Sequence, residues 1–528
     1  MTSKKKIYRE IIEELLSSKV KDEKGFMKVV KKVAKKYRLP NLPKKIDILS
    51  YCSDDEKKKL RKILLTKPTR SASGVTIITV VAKPAPCPGR CIYCPRGANA
   101  PQSYTGLEPA IQRAIRNGYD PFLQTVDRLN QYKFTGHPTD KVDVIILGGT
   151  FPALPFSYQQ SFVKRIFDAL NGRESKTLEE AQRLNERSKH RCVGMTIETR
   201  PDFCKQSYVD MMLKLGTTRV EIGAQSIYDD VLERVKRGHT VEDTVEAIRI
   251  ARDAGMKIVL HIMPGLPGSD FKRDLEMFKT VFKDERFMPD GLKIYPTVVV
   301  KGTELYEMWK RGEYKPMSTE DAIKLLVEVK KIIPPFVRIR RVQRDIPATK
   351  IVAGVKKSNL RELVFKELER QGFRCRCTRC REVAHVEMKY GLKPKVENIK
   401  LVRREYNASE GKEIFLSFED VKQDILIAFL RLRLPSEKAH RKEINRVPTA
   451  IVRELHTYGF ALPIGEKPTE EWQHRGYGKE LMEEAESIAR DEWDMKKIVV
   501  ISGVGARPYF RKLGYRKNGP YMAKRLDS

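Results

Sequence analysis

The chain has 528 residues, with 103 Lys or Arg against 69 Asp or Glu and a formal charge of +34. That length implies two to four domains, each able to bury a core. The charge points to a polyanion, nucleic acid first and an anionic membrane surface second. No apolar run approaches membrane-spanning length, and the first residues lack the apolar segment of a signal peptide, so no membrane insertion is expected. Nine cysteines, clustered rather than scattered, suit a reducing cytoplasm with metal sites better than a disulfide framework.

Residues 1–70 hold 22 Lys or Arg against 9 Asp or Glu, a surplus of 13 in a short stretch. Ile7, Ile11, Ile12, Leu15 and Leu16 recur at helical spacing, as do Val29, Val30 and Val33, with Lys31, Lys32, Lys35 and Lys36 between them. This predicts a basic helical module over 1–72 that grips phosphates; a merely solvated helix face is the rival reading. From about residue 75 strands alternate with helices. Strands are expected at 75–82, 142–147, 193–199, 219–223, 257–262 and 291–296, and helices at 157–170, 205–215, 240–254 and 270–284. Repeated βα units imply an α/β fold with a parallel sheet, open or closed into a partial barrel, over 73–345. In such sheets chemistry gathers at the carboxyl ends of the strands.

The first of those ends carries Pro-Ala-Pro-Cys87-Pro-Gly-Arg-Cys91-Ile-Tyr-Cys94-Pro-Arg-Gly. Three thiolates on one short loop can hold three irons of a 4Fe-4S cubane and leave the fourth open to a substrate, whereas electron-transfer clusters usually take four cysteines. A zinc knuckle would need a fourth ligand nearby, and the next Cys or His is His137. The Cys-x3-Cys-x2-Cys loop resembles that of the radical S-adenosylmethionine enzymes. Further strand ends supply Gly148, Gly149 and Thr150, then Glu198, then Gln225. Glycines let backbone carbonyls approach a cofactor ammonium group; the usual pattern of the resemblance is Gly-Gly-Glu, and Thr150 departs from it. Glu198 and Gln225 suit hydrogen bonds to the cofactor, or equally the capping of a following helix. The turn after His261 is assigned no chemistry.

Between 346 and 398, taken as a linker, Cys375, Cys377 and Cys380 fall within six residues and His385 follows. Cys3His zinc, with His385 as the fourth ligand, is the natural reading of that ligand density; an auxiliary iron–sulfur cluster is the alternative, and a free surface histidine the alternative for His385. Interleaved arginines stabilise thiolate and suit phosphate contact.

The last part, 399–528, begins with strand patterns at 400–405, 414–418, 424–432 and 450–458. It continues with Gln473-His-Arg-Gly476-Tyr477-Gly478-Lys479 and a helix from Glu480. Gln-x-x-Gly-x-Gly between strand and helix resembles the coenzyme A loop of the GNAT acetyltransferases, an α+β fold. Small residues there open a ring of backbone N–H groups at a helix N-terminus, where a pyrophosphate binds.

With both halves read, the chain resembles the catalytic subunit of Elongator and its free-standing prokaryotic relatives. Arg70-Ser-Ala-Ser-Gly, Gln102-Ser-Tyr-Thr-Gly-Leu-Glu-Pro, Arg341-Val-Gln-Arg-Asp-Ile-Pro, Ile451-Val-Arg-Glu-Leu-His and Ile501-Ser-Gly-Val-Gly carry that resemblance further. It implies formation of 5-carboxymethyluridine at the tRNA wobble position from S-adenosylmethionine and acetyl-CoA. A 5′-deoxyadenosyl radical would take a hydrogen from the acetyl methyl, and the carbon radical would add to uracil C5 of an unstacked anticodon base. The resemblance lays the pantetheine of acetyl-CoA along Glu454, Leu455, His456 and Thr457, and its pyrophosphate at Gln473 to Lys479. It also puts Lys141 and Tyr509 near the thioester, with Phe510 where the family has a second tyrosine. The partners implied are the tRNA anticodon stem-loop and acetyl-CoA, with room for a homodimer or accessory subunits. The competing class is a protein lysine acetyltransferase whose iron–sulfur cluster is structural.

Overall fold

The computed structural model describes all residues except 1, 2, 19, 21, 463, 465–471, 474, 527 and 528. His474, inside the expected coenzyme A loop, therefore lies outside the described residues.

Four helices, Ser3–Ser17, Glu23–Lys36, Lys45–Ser50 and Asp54–Leu64, form the N-terminal part. Asp22 caps the second and a Ser53/Glu56 capping box starts the fourth. Their apolar stripes close on one another around Ile11, Ile12, Val30, Val33 and Leu64. Lys31, Lys32, Lys35 and Lys36 are left exposed, with Lys36 paired to Glu10 at 2.6 Å and Lys32 to Glu14.

Seven parallel strands follow. They are β1 (Thr76–Val81), β2 (Lys141–Leu147), β3 (Arg191–Thr199), β4 (Arg219–Gln225), β5 (Lys257–Ile262), β6 (Gly291–Ile294) and, beyond the short β7 (Val299–Val300), β8 (Arg338–Arg341). They lie side by side in the order β1-β2-β3-β4-β5-β6-β8, a curled sheet open between its first and last strands. Helices Pro121–Phe134, Phe156–Asn171, Gln206–Leu215, Val241–Asp253 and Phe271–Lys283 join them and bury the outer face. The predicted strands and helices of this part coincide with these to within two residues. Alternation sets the two faces: Val142, Val144 and Ile146 of β2 are fully buried against the helices, and Asp143, Ile145 and Leu147 point inward.

Residues 346–398 are more structured than the word linker suggests. β9 (Ile351–Ala353) pairs with β7, and helices Leu360–Arg370, Thr378–Arg381 and Val383–Tyr390 follow. Leu360, Val364 and Leu368 belong to the same apolar core as the barrel.

The last sheet contains β10 (Ile399–Ala408), β11 (Gly411–Asp420), β12 (Ile425–Leu434), β13 (Thr449–Thr457), β14 (Lys497–Val500), β15 (Arg516–Asn518) and β16 (Tyr521–Arg525). Its order is β10-β11-β12-β13-β14-β16-β15. β13 and β14 are the one parallel pair in it, and they stay paired only from Thr449–Lys497 to Val452–Val500. Beyond Val452 the two strands part. The sheet rests on the strand-start end of the barrel through buried ion pairs, Arg453 with Asp290 at 2.7 and 2.9 Å and Arg433 with Asp253 at 2.6 Å. Gly503 lies so close to the Val193 carbonyl of β3 that any side chain there would collide with it. Among the described residues no helix is long and apolar enough to cross a membrane.

Candidate functional site

The carboxyl ends of the barrel strands surround one cavity of about 350 Å³. Cys87, Cys91, Cys94, Gly149 and Thr150 line it, as do Glu198 and Gln225, so the residues read separately at four strand ends meet in one place. Gly148 shapes the turn beneath them: its φ is +152°, and a Cβ there would come within 2.8 Å of the Ala82 methyl. Gly149 follows at φ +61°, a left-handed conformation that glycine takes without strain. Gln225 takes a similar one, φ +68°, with a side chain, which costs of order 1–3 kcal/mol and is typical of ligand sites.

The cysteine loop is set in positive charge. Arg237 Nη1 donates to Cys91 Sγ at 3.3 Å, and its Nη2 to the Gly223 carbonyl at 2.8 Å. Burial opposes a thiolate at Cys91, but Arg237 outweighs it, helped by Tyr93 and Arg200, and the thiol is held below its ordinary value. Burial instead raises Cys94, and the neighbouring Cys91 adds to the rise. Cys87 Sγ lies 3.6 Å from Thr150 Oγ1. Arg200 Nη1, Arg237 Nε and Gln225 Oε1 are buried without a protein partner. Inside a cavity lined by thiols the two guanidinium donors suit an anionic guest, and the amide oxygen suits a guest that brings a donor. Gly89 keeps the room open, since a side chain there would run into Arg200. The donor set and its cationic surroundings fit a cluster held by three thiolates.

Deeper in the cavity Glu198, Glu221 and His261 bring their ligand atoms within 4.8 Å of one another. Lys293 already serves them, its Nζ 2.7 Å from Glu198 Oε1 and in contact with Glu221, while His261 Nε2 lies 3.1 Å from Glu221. Burial disfavours the ammonium, yet the two carboxylates hold its pKa above the ordinary value. Glu198 is thus tied to Lys293 rather than to a helix cap. Lys293, Glu221 and Arg237 escaped the sequence reading, and Arg200 was met there only as a strand-end neighbour of Glu198. A readable sign existed for two of them: Glu221 lies between Val220 and Ile222, and Lys293 between Leu292 and Ile294, each a charge on the inward position of a strand whose neighbours on the other face are apolar.

At the opposite end of the barrel lie the residues expected at acetyl-CoA. Lys141 starts β2, and its Nζ donates to Gln473 Oε1 at 2.8 Å. Burial lowers its pKa to about 8. The same Gln473 oxygen accepts from the Leu462 N–H at 3.1 Å, and Gln473 Nε2 donates to the Thr457 carbonyl at 3.1 Å. Gly476, φ +96°, opens helix Tyr477–Ser487, whose first-turn amides have no side-chain cap, the free positive end that suits a phosphate. A Cβ on Gly478 would sit 3.0 Å from the Tyr509 hydroxyl, so glycine there leaves the approach to Tyr509 open. Tyr509 is raised to about 12 by burial, with Glu483 adding to it. Lys479 points away, paired with Glu483 at 3.3 Å. On β13, Glu454 lies 3.1 Å from Arg431 and 3.4 Å from Lys257, Leu455 packs against the apolar core, and His456 Nε2 donates to the Ser73 carbonyl at 2.8 Å. Glu454 to Thr457 lie beyond the point where β14 departs.

Cys375, Cys377 and Cys380 form a third group, their sulphurs within 4.8 Å of one another. A tetrahedral ion with Zn–S bonds of about 2.3 Å needs sulphurs at roughly this spacing. His385 is not brought to them: its Nε2 lies 2.8 Å from Glu382 Oε1, which Arg338 also engages through the other oxygen at 2.7 Å. Lys330 Nζ, buried, lies 3.6 Å from Cys375 Sγ.

Comparison with known proteins matches this architecture part by part. Residues 4–72 match the ELP3 N-terminal domain, 86–281 the Radical SAM superfamily, 289–370 the Radical_SAM C-terminal domain and 393–515 the Acetyltransferase (GNAT) family. A tRNA uridine(34) acetyltransferase of Methanocaldococcus infernus is 53% identical over 99% of this chain and 100% of its own length. The Elongator complex protein 3 of Homo sapiens is 47% identical over 94% of this chain and 93% of its own. The solved structure of the archaeal Methanocaldococcus infernus Elp3 lacking its N-terminus superposes with a TM-score of 0.77 at 52% identity, covering 86% of this chain and 99% of that one. The chain belongs to the family of Elongator complex protein 3 and the tRNA uridine(34) acetyltransferases.

Proposed function

We propose that this protein modifies C5 of the wobble uridine of tRNA, building a carboxymethyl group from the acetyl unit of acetyl-CoA. The observation that carries the reading is the direct bonding of the two halves. Lys141 of the barrel holds Gln473 of the coenzyme A loop, and Ser73, next to β1, holds His456 of the strand expected to carry pantetheine. An acetyltransferase with an unrelated, structural cluster has no need of that coupling.

Cys87, Cys91 and Cys94 would ligate a 4Fe-4S cluster, which with S-adenosylmethionine supplies one-electron chemistry able to break an unactivated C–H bond. Gly148, Gly149 and Thr150 would leave backbone groups for the methionine moiety, and Gln225, with its unpartnered carbonyl, would bind the nucleoside. Glu198, held by Lys293, would accept a hydrogen bond from the cofactor. Glu454 to Thr457 offer an unpaired strand edge to the pantetheine amides, while Gln473, Gly476, Tyr477, Gly478 and the backbone of Lys479 would cradle the pyrophosphate. Tyr509 and Lys141 would position the thioester; Tyr509 is protonated at neutral pH and so donates a hydrogen bond. The exposed lysines of the N-terminal helices would take tRNA phosphates, and Cys375, Cys377 and Cys380 would hold zinc, with its fourth ligand other than His385. The test is anaerobic reconstitution with tRNA, reductant, S-adenosylmethionine and acetyl-CoA, followed by nucleoside mass spectrometry. A modified uridine that disappears in Cys91→Ala is expected; an equal yield from Cys91→Ala would sink the reading.

A further inference from the structure

The inner face of the barrel is not dry. On β1, Thr76, Ile78 and Val80 are fully buried toward the helices, whereas Ile77 on the other face is 36% exposed, and Thr79 beside it is half-buried. On β2 the inward Ile145 and Leu147 likewise keep contact with solvent. Barrel interiors of this width are ordinarily filled by layers of side chains. An apolar side chain left wet inside one marks room for a guest.

That room runs the length of the strands, since Ser73 and Arg338, at strand starts, line the same cavity as Cys87 and Cys91 beyond strand ends. Val75, Ile77 and Ile145 make one wall apolar. Glu198, Glu221 and Lys293 make the facing wall polar, with their charges already paired to one another. The lower mouth abuts the acyl half. Ser73 accepts from His456, Arg338 Nη1 donates to the Tyr458 hydroxyl at 3.0 Å, and Lys257 at the foot of β5 lies 3.4 Å from Glu454. On the acyl side these contacts come from the part of β13 that β14 has left and from Tyr458, the residue after it.

Resting on the function proposed above, we propose that the acyl end of acetyl-CoA enters the barrel through this lower mouth and lies along Val75 and Ile77, pointing at the cysteine end. That end is uncharged, a thioester carrying a methyl group, and so fits between one apolar wall and one polar wall whose carboxylates are already paired to Lys293.

The test uses the full chain without cluster, so that no turnover is involved. Ile77→Cys and, separately, Thr79→Cys are alkylated with a maleimide and the rate at each position is read by peptide mass spectrometry; Ile115→Cys, as exposed as Ile77 but on helix Pro109–Arg116 and outside the cavity lining, is the control. Calorimetry fixes the acetyl-CoA affinity of each variant. At a tenfold excess over Kd, acetyl-CoA should slow labelling at 77 and 79 about ten-fold by simple occupancy and leave 115 unchanged. Calorimetric binding with unaltered labelling at both lumen positions would overturn the proposal, as would protection by tRNA but not by acetyl-CoA. Absence of any heat of binding would contradict the acetyl-CoA reading itself, and the path with it.

Discussion

Lys141 opens β2 with its ammonium against Gln473, and burial brings its pKa from an ordinary 10.5 to about 8. Below pH 8 the lysine is charged folded and unfolded, and the fold bears the full cost of burying it. Between pH 8 and 10.5 the unfolded chain binds the proton that the folded one has shed, so stability rises with pH there. Lys141→Met should therefore be more stable relative to wild type at pH 7 than at pH 10, a gap that urea midpoints at the two values would measure; a gap that widens with pH contradicts the assignment. The residues legible beforehand were those whose chemistry is local in sequence: the cysteine loop, the glycine pair, the coenzyme A loop. Arg237 was not, because it meets Cys91 across 146 positions of chain. Lys293 was not either, since the carboxylates it balances stand on β3 and β4. A charge on an inward strand position was the signal available, and only the closing of the sheet says what it faces.

At the scale of elements, alternation in the strands and 3.6-residue periodicity in the helices made the barrel readable, because each βα unit buries one face against its neighbours. The segment over 346–398 was harder. Its helices are short, and their apolar residues are spent on packing against the barrel rather than on a core of their own. His385 illustrates the cost of reading ligands by proximity in sequence: Glu382, one helical turn earlier, lies against its ring nitrogen. If the three cysteines hold zinc, Cys377→Ser should lose the metal and lower the thermal midpoint, whereas His385→Ala should retain full metal content. Elemental analysis of the purified variants decides it; loss of zinc from His385→Ala would return the histidine to the ligand set.

The barrel and the last sheet are held as one unit by charges buried between the two seven-stranded sheets. Arg453 reaches Asp290 through both terminal nitrogens and also touches Glu413. Removing one partner of such a pair costs about 3–5 kcal/mol, while replacing both by apolar groups recovers much of it. Arg453→Leu should thus be strongly destabilised in denaturant and Arg453→Leu with Asp290→Leu less so; a double variant worse than the sum of the singles would show the pair does not act as a pair. That rigid union makes the central claim physical, since a radical source and an acyl carrier must share one interior. Trideuterated acetyl-CoA tests it most directly, in the reconstituted protein with tRNA and S-adenosylmethionine. The account predicts a modified uridine carrying two deuteriums on its new carbon and the third in 5′-deoxyadenosine. A product that keeps all three deuteriums, on uridine or on protein lysine, would mean that the acetyl group moves intact and would contradict it.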